Sequence, residues 1–483
     1  MSTPIPPNDA RFALDEVLAV TGGRIEGPVG PNHRGFCGVG TDSRRLRPGE
    51  IFVALRGERH DGHAFVAAAA AAADQGLILV DRDAPPLPPA SRVTRVRVAD
   101  TLVALGALAA RHLGRWREGG RRRVLAVTGS AGKTTTKAAM GAILSEVAPG
   151  AAHVTRGNLN NRIGVPLTIL GLEAQHRFAV LEMGTSEQGE IPALARLGAP
   201  DVAMVTLISD AHTEGLGGIE GVRREKLAMF GEAPRGAIRI GNADDARVRA
   251  GLAPYGRRAI GYGTDPEARY RVVGRGLAGA LQRTELLVDD RHLTVAAPLY
   301  GAVGALSVAG AVAGVEALLE RPVTSAQIEA GLRHFDAGRR FQIREVGALK
   351  VIDDSYNANP ASCAASLETA AELAGAEGRA LVAVLGEMRE LGEESPGLHR
   401  RLGVEAARRC RHVIAVGGDA RHLAEGAREA GAAAVFVEDA EAAVAPLRER
   451  LEQPADLMVL VKASRSIRAE RVVEALLAEG RPS

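Results

Sequence analysis

The sequence predicts an α/β protein of three domains: a small α/β N-terminal domain, a central doubly wound domain and a C-terminal Rossmann-like domain. Three observations predict it. The 483 residues exceed what one ordinary core organises. Short all-apolar runs bounded by turn residues recur with helical stretches between them, as strands buried on both faces of a parallel sheet do. The rhythm also lapses twice, which sets the expected domains at residues 1–115, 116–337 and 338–483.

The first segment has strand-like runs at Gly49 to Leu55, Gly76 to Val80 and Val93 to Val98, with Ala-rich helical stretches at Phe65 to Asp74 and Asp100 to Leu113. The basic, Gly-containing run Arg115 to Arg123 then reads as an exposed linker rather than a nucleic-acid patch. In the central segment the strand-like runs are Val124 to Thr128, Phe178 to Glu182, Val202 to Ile208 and Ala237 to Ile240. Tyr270 to Pro298 departs from this rhythm and suggests a local antiparallel insertion. After Gly338-Arg339 the alternation resumes with Leu381 to Leu385, His412 to Val416, Ala433 to Val437 and Leu457 to Val461. No G-x-G-x-x-G follows any of these strands, so a bound dinucleotide is not indicated.

Lys+Arg 60 against Asp+Glu 58 leaves a net charge of +2, which gives no general electrostatic reason to bind nucleic acid or an anionic membrane. Cys37, Cys363 and Cys410 are far apart and in no metal-ligand spacing, as expected of reduced thiols in a cytoplasmic protein. Met1 to Asp9 is proline-rich and lacks the layout of a secretory signal. The Ala-rich run Phe65 to Ala73 is broken by Asp74 and Gln75, and no apolar run is read as reaching the ~18 residues that span a bilayer. Only five cationic residues are lysines, namely Lys133, Lys137, Lys226, Lys350 and Lys462. A chain that uses arginine for solvated charge keeps lysine where a primary amine is required.

The most specific motif follows the strand Val124 to Val127: Thr128-Gly129-Ser130-Ala131-Gly132-Lys133-Thr134-Thr135, then an apolar helix. A glycine loop entering a helix N-terminus aims backbone N–H groups at a polyphosphate. Gly129 and Gly132 let the backbone curl, Lys133 supplies a point charge to the β and γ oxygens, and the Thr134 hydroxyl reaches Mg²⁺. Val127 stands where the strict G-x-x-x-x-G-K-[ST] pattern has its first glycine, so this is a shortened loop. Lys137, one turn on, reads as an ordinary helix-face charge.

The strand Phe178 to Leu181 ends in Glu182-Met183-Gly184, and the next ends near Asp210-Ala211-His212-Thr213-Glu214-Gly215, with Lys226 on a helix fourteen positions after His212. Together with the shortened loop, this set resembles the Mur ligase family. The resemblance implies two Mg²⁺ ions and ATP as cosubstrate. Glu182 and Thr134 would hold the first ion, and His212 with a carbamoylated Lys226 the second. CO₂ reacts only with a neutral amine, so arginine cannot replace lysine there, and burial or a nearby cation must favour the neutral form.

Further stretches carry the same resemblance. Thr41-Asp42-Ser43-Arg44, followed by Pro48 to Gly62, looks like the segment that holds the UDP part of the substrate. Gly157-Asn158-Leu159-Asn160-Asn161 would offer amides to a peptide. Asp353-Asp354-Ser355-Tyr356-Asn357-Ala358-Asn359-Pro360 and Gly386-Glu387-Met388-Arg389 through His399 resemble the branch that adds D-alanyl-D-alanine. The Asp-Asn-Pro-Arg stretch of the diaminopimelate-adding branch is missing. The resemblance puts Asp354 at the ATP ribose, Arg339 at the γ-phosphate, Lys462 at the interdomain cleft, and Tyr356 and Asn357 near the substrates. Ser307 stands where the family carries an asparagine near the adenine, and a hydroxyl cannot supply the paired donor and acceptor of an amide.

The implied activity is ATP-dependent joining of D-alanyl-D-alanine to UDP-N-acetylmuramoyl-tripeptide in the cytoplasm. The implied enzyme is a monomer with no nucleic-acid partner and no membrane insertion. A neighbouring Mur-type or folylpolyglutamate-type ligase, and a nucleotide-binding regulatory protein without turnover, are the alternatives.

Overall fold

The structure is a computed structural model and describes residues 4–32, 35–57, 60–88, 91–210, 213–333, 335–336, 338–451 and 456–479. Each of the three sequence segments builds its own sheet. In the first, Val39–Gly40, Ile51–Val53, Leu77–Val80 and Thr94–Arg97 run parallel, and Arg24–Ile25 adds an antiparallel edge.

The central sheet has nine strands among the described residues. Its parallel part runs Ala259–Gly263, Ile238–Asn242, Val202–Val205, Arg123–Thr128, Phe178–Glu182, Ala152–Val154. Arg123–Thr128 lies between Val202–Val205 and Phe178–Glu182, so the chain winds outward in both directions from the strand that feeds the glycine loop. That is the switch point where open α/β sheets bind ligands. Leu281–Val288 runs antiparallel to both its neighbours, Tyr270–Ala278 and Arg291–Ala297, as the lapse in rhythm suggests, while Tyr270–Ala278 joins Ala259–Gly263 in parallel. The strands of this segment extend the same sheet rather than forming a separate insertion.

The third sheet runs Gln342–Val346, Leu349–Asp354, Leu457–Lys462, Ala380–Gly386, His412–Val416, Ala433–Val437, parallel except at its first edge. Helices cover both faces, and separate apolar clusters fill each side.

Two sequence expectations are corrected here. The basic run Arg115 to Arg123 is not an exposed linker. The helix Thr101–Glu118, capped by Asp100, carries the chain almost to the strand Arg123–Thr128, leaving only residues 119–122 between them. Three of the run's five arginines are claimed by acidic partners remote in sequence: Arg115 by Glu16 at 3.1 Å, Arg117 by Asp201 at 3.1 Å and Arg123 by Glu320 at 2.5 Å. One apolar cluster runs through the joint, uniting Phe12, Val17 and Val53 with Leu108, Leu113 and Trp116 and with Val165, Leu167 and Leu181.

The second correction concerns apolar length. Gly301–Leu319 is a 19-residue helix long and apolar enough to cross a membrane by composition. Most of it is buried inside the protein, where it packs against the glycine-loop helix; a Cβ at Gly314 would lie 2.5 Å from Met140 Sδ.

Candidate active site

The carboxyl ends of the central and third sheets face each other across a cleft of about 980 Å³. Ser130 through Thr135, Asn158, Asn160, Asn161, Glu182, Ser307, Asp354, Tyr356, Asn357 and Lys462 all line it. Residues separated by more than 300 positions thus meet at one site.

The glycine loop depends on its two glycines. Gly129 has φ +146°, and a Cβ there would stand 2.1 Å from Thr206 Oγ1; Gly132 has φ +84° and opens the helix Lys133–Val147. Ser130 is anchored through its backbone N to Leu207 O at 2.7 Å and through its hydroxyl to Ser209 O at 3.0 Å. Lys133 donates back to Gly129 O at 2.6 Å, which holds its ammonium inside the curl of the loop. Burial presses that ammonium below the ordinary lysine value, with Glu182 opposing and Arg340 adding to the shift.

Glu182 ends the strand beside the loop and is 1% exposed. Its Oε1 accepts from Thr134 Oγ1 at 2.9 Å and from Asn160 Nδ2 at 2.8 Å, and Lys137 Nζ lies 3.0 Å from its Oε2. Burial alone would raise this carboxyl, but Lys137, Lys133 and Arg340 together outweigh burial and hold it below the usual carboxylate range. Lys137 is therefore not the helix-face charge the sequence suggested: it is buried and paired with the central carboxylate of the site. The scarcity of lysine was the signal for it.

Lys226, on the helix Gly218–Glu232, is 1% exposed, and its Nζ has no hydrogen-bond partner among the described residues. It does not line the cleft, yet it lies close enough for the charges of Lys133, Glu225, Glu190 and Glu182 to act on it. Burial first, and Lys133 second, drive its amine well below the ordinary lysine value. Its neighbour Glu225 is spent on structure, accepting from Gly189 N and Ile191 N at the start of the helix Glu190–Gly198. His212, assigned to the second ion, lies outside the described residues.

Arg339 is corrected. Its guanidinium pairs with Glu470 at 3.3 Å and Glu474 at 2.7 Å, on the helix Glu470–Glu479 of its own domain, and does not line the cleft. Arg340 lines it instead, 3.9 Å above the Tyr356 ring. Residues 338–340 form a bend before Phe341, whose φ is +54°, and the bend sends adjacent side chains to opposite sides. Arg465 stands on the same ring at 5.3 Å and donates to Tyr356 Oη at 3.2 Å.

Other assignments acquire definite partners. Asp354 Oδ2 accepts from Lys462 Nζ at 2.7 Å and Ser366 Oγ at 2.5 Å, while its Oδ1 accepts from Phe341 N at 3.2 Å. Lys462 also donates to Asn357 O at 3.0 Å. Asn161 Oδ1 accepts from Gly164 N at 2.9 Å and so starts the helix Gly164–Leu170. Ser307 donates its hydroxyl to Val303 O at 2.8 Å, leaving only acceptor capacity for a ligand. Thr41, Asp42, Ser43 and Arg44 do not line this cleft; Arg44 and Asp42 form an exposed bidentate pair at 2.8 Å.

For a magnesium ion, the residues present fit in part. A buried carboxylate beside a loop hydroxyl is the sparse oxygen set that Mg²⁺ takes alongside water and substrate phosphates. Unmodified, Lys226 is no ligand, but a buried amine without a partner is what a CO₂ adduct requires.

A glycine loop at the switch point of a parallel sheet, faced by a second parallel domain across a cleft lined with cations, defines a nucleotide-dependent enzyme of the phosphate-loop class. Comparison with known proteins makes this specific. The chain belongs to the Mur ligase family, matching the models for the Mur ligase family catalytic domain over residues 36–113, the Mur ligase middle domain over 127–314 and the Mur ligase glutamate ligase domain over 339–465. It is 36% identical over 455 residues to the UDP-N-acetylmuramoyl-tripeptide--D-alanyl-D-alanine ligase of Escherichia coli K12, covering 92% of this chain and 94% of that one. Among solved structures, MurF from Acinetobacter baumannii matches with TM-score 0.84 and 29% identity, over 99% of this chain and 100% of that one. MurF from Thermotoga maritima in complex with ADP matches with TM-score 0.79 and 27% identity, over 92% and 97%.

Proposed function

We propose that the protein is the cytoplasmic, monomeric ligase that joins D-alanyl-D-alanine to UDP-N-acetylmuramoyl-tripeptide with cleavage of ATP to ADP and phosphate. The observation that carries this reading is the meeting of the Ser130–Thr135 loop, Glu182 and the Tyr356–Asn357 segment in one cleft, in a chain matched over 92% of its length by a ligase of that name. The division at residues 1–115, 116–337 and 338–483 belongs to it. The first unit takes the UDP moiety at Thr41 to Arg44, the second the triphosphate, and the third the incoming dipeptide.

The tripeptide carboxylate attacks the γ-phosphorus, ADP leaves, and an acyl phosphate results. The dipeptide amine then adds to the acyl carbon, loses a proton, and phosphate departs. The protein's share is electrostatic and positional. Ser130 to Thr135 bind the phosphates, with Gly129 shaping the loop, and Lys133 neutralises charge on the transferred group. Asn158, Asn160 and Asn161 orient the peptide. Asp354, on the ribose side, is held by Lys462. The enclosure between the two sheets keeps water from the acyl phosphate.

Thr134 and Glu182 would hold one Mg²⁺, and carbamoylated Lys226 with His212 the second; the ions supply charge neutralisation at the phosphates. Support for the carbamate is the burial of Lys226, its unpartnered Nζ and the proximity of Lys133, all of which favour a neutral amine. Carbon-13 NMR of protein equilibrated with labelled bicarbonate tests it: a carbamate resonance lost in Lys226→Arg is expected, and no resonance in the wild type overturns it. The ligation itself is tested by mass spectrometry of the product, where a UDP-muramoyl-pentapeptide is expected and hydrolysis of ATP without it contradicts the reading.

A further inference from the structure

Lys137 carries more than the charge balance of Glu182. It lies one turn inside the helix Lys133–Val147 and is 4% exposed, and a buried ammonium must find partners. It reaches two in different directions. Nζ stands 3.0 Å from Glu182 Oε2, and it donates to Gly157 O, at the start of the segment that runs to Asn161, at 3.3 Å.

The other end of Glu182 closes the circuit. Its Oε1 accepts from Thr134 Oγ1 and from Asn160 Nδ2, and Asn160 O in turn accepts from Gly184 N at 2.7 Å, just beyond Glu182. The glycine-loop helix, the strand end bearing the carboxylate and the asparagine segment are therefore tied through one ammonium and one carboxylate. A compact ammonium with three rotatable donors serves two acceptors in different planes, which a flat guanidinium fork does not. That accounts for a lysine here in a chain that otherwise prefers arginine.

We propose that Lys137 is a positioning residue that sets Glu182 and the segment 157–161 in one frame, so that the metal carboxylate and the peptide-binding amides are placed together. The inference rests on the proposed ligase function, because that reading assigns the two ends. A plain buried ion pair would contribute stability alone. A plain competitor for Glu182 would weaken metal binding, so that its removal would tighten it. A positioning residue predicts the reverse, and at two sites at once.

The test uses the full chain with Lys137→Met and Lys137→Arg, neither requiring turnover. Calorimetry gives the Kd for UDP-muramoyl-tripeptide without nucleotide or metal. A titration gives the Mg²⁺ concentration for half-maximal binding of a non-hydrolysable ATP analogue. Lys137→Met is expected to raise both by about tenfold, the lower end of what loss of a ligand-orienting partner costs, with Lys137→Arg between it and the wild type. Both values within about twofold of wild type, a tighter Mg²⁺ requirement, or movement of only one of the two overturns the proposal. If Lys137→Met fails to fold, Lys137→Arg is read by the same criteria. A wild type that binds no muramoyl peptide contradicts the ligase reading, whereas a wild type that binds it normally leaves Lys137 alone on trial.

Discussion

The two joints of this chain differ in how much of their contact is apolar. Between the first and central sheets, Leu108, Leu113 and Trp116 join an apolar cluster that continues from one side to the other, and Trp116 Nε1 donates to His176 O at 3.0 Å. Between the central and third sheets the described residues tie mainly through polar groups, Asn359 Nδ2 to Ser130 O at 3.3 Å, Thr213 Oγ1 to Leu391 O at 3.5 Å and the bidentate Arg275–Glu372 pair at 2.7 and 2.8 Å, beside the ring contact of Tyr300 with Phe341 at 6.3 Å. An apolar joint resists movement because any opening exposes its area to water, while a polar joint exchanges its bonds for water at small net cost. On this contrast the first joint is expected to hold its two units together and the second to yield first. The cleft lies at the second joint, where closure excludes water.

The comparison is sharpened most by the chemistry at the second joint. Lys226→Arg is expected to abolish ADP release, and Lys226→Glu to restore part of the rate; steady-state assays check both, with circular dichroism establishing that each variant is folded. Full activity in the Arg variant would remove the carbamate from the account. At the first joint, Trp116→Ala is expected to cost about 3–5 kcal/mol in chemical denaturation, since it empties a buried aromatic site and leaves the His176 carbonyl without its donor. At the second, Arg275→Ala is expected to change stability by no more than about 1 kcal/mol, because the pair is partly exposed, while raising the KM for substrates by favouring the open arrangement. Equal destabilisation by both variants would erase the contrast between the joints.

A further effect concerns pH. His153 donates to Thr168 O at 2.9 Å, and burial first and His176 second depress its pKa to about 4. The unfolded chain, with a value near 6.5, binds the proton that the folded state refuses, so stability is present above about 6.5 and is lost as pH falls toward about 4. Denaturation midpoints across that window should fall with pH, and His153→Gln should flatten the slope.

Some of the site was legible in the sequence because its determinants are local. Strand, glycine loop and helix N-terminus follow one another between Val124 and Met140, and burial of the strand makes its composition unmistakable. Glu182 was legible for the same reason, standing at a strand end. What escaped depends on contacts between distant segments. Arg115 to Arg123 reads as solvated until Glu16, Asp201 and Glu320 are brought to it. Lys137 reads as a surface charge until Glu182, 45 positions on, is folded against it. The choice between Arg339 and Arg340 turns on a backbone bend at Phe341 that no side-chain pattern announces. The helix Gly301–Leu319 does not read as a long apolar helix because ten of its nineteen residues are Gly or Ala and Glu316 interrupts it.

The central claim is that one cleft activates a carboxylate with ATP and hands it to an amine. ADP formation by the purified chain with Mg²⁺ should be near background with ATP alone and with UDP-muramoyl-tripeptide added, and should rise steeply when D-alanyl-D-alanine completes the mixture, one ADP for each pentapeptide formed. ADP formation of the same rate whether or not the dipeptide is present would contradict the account.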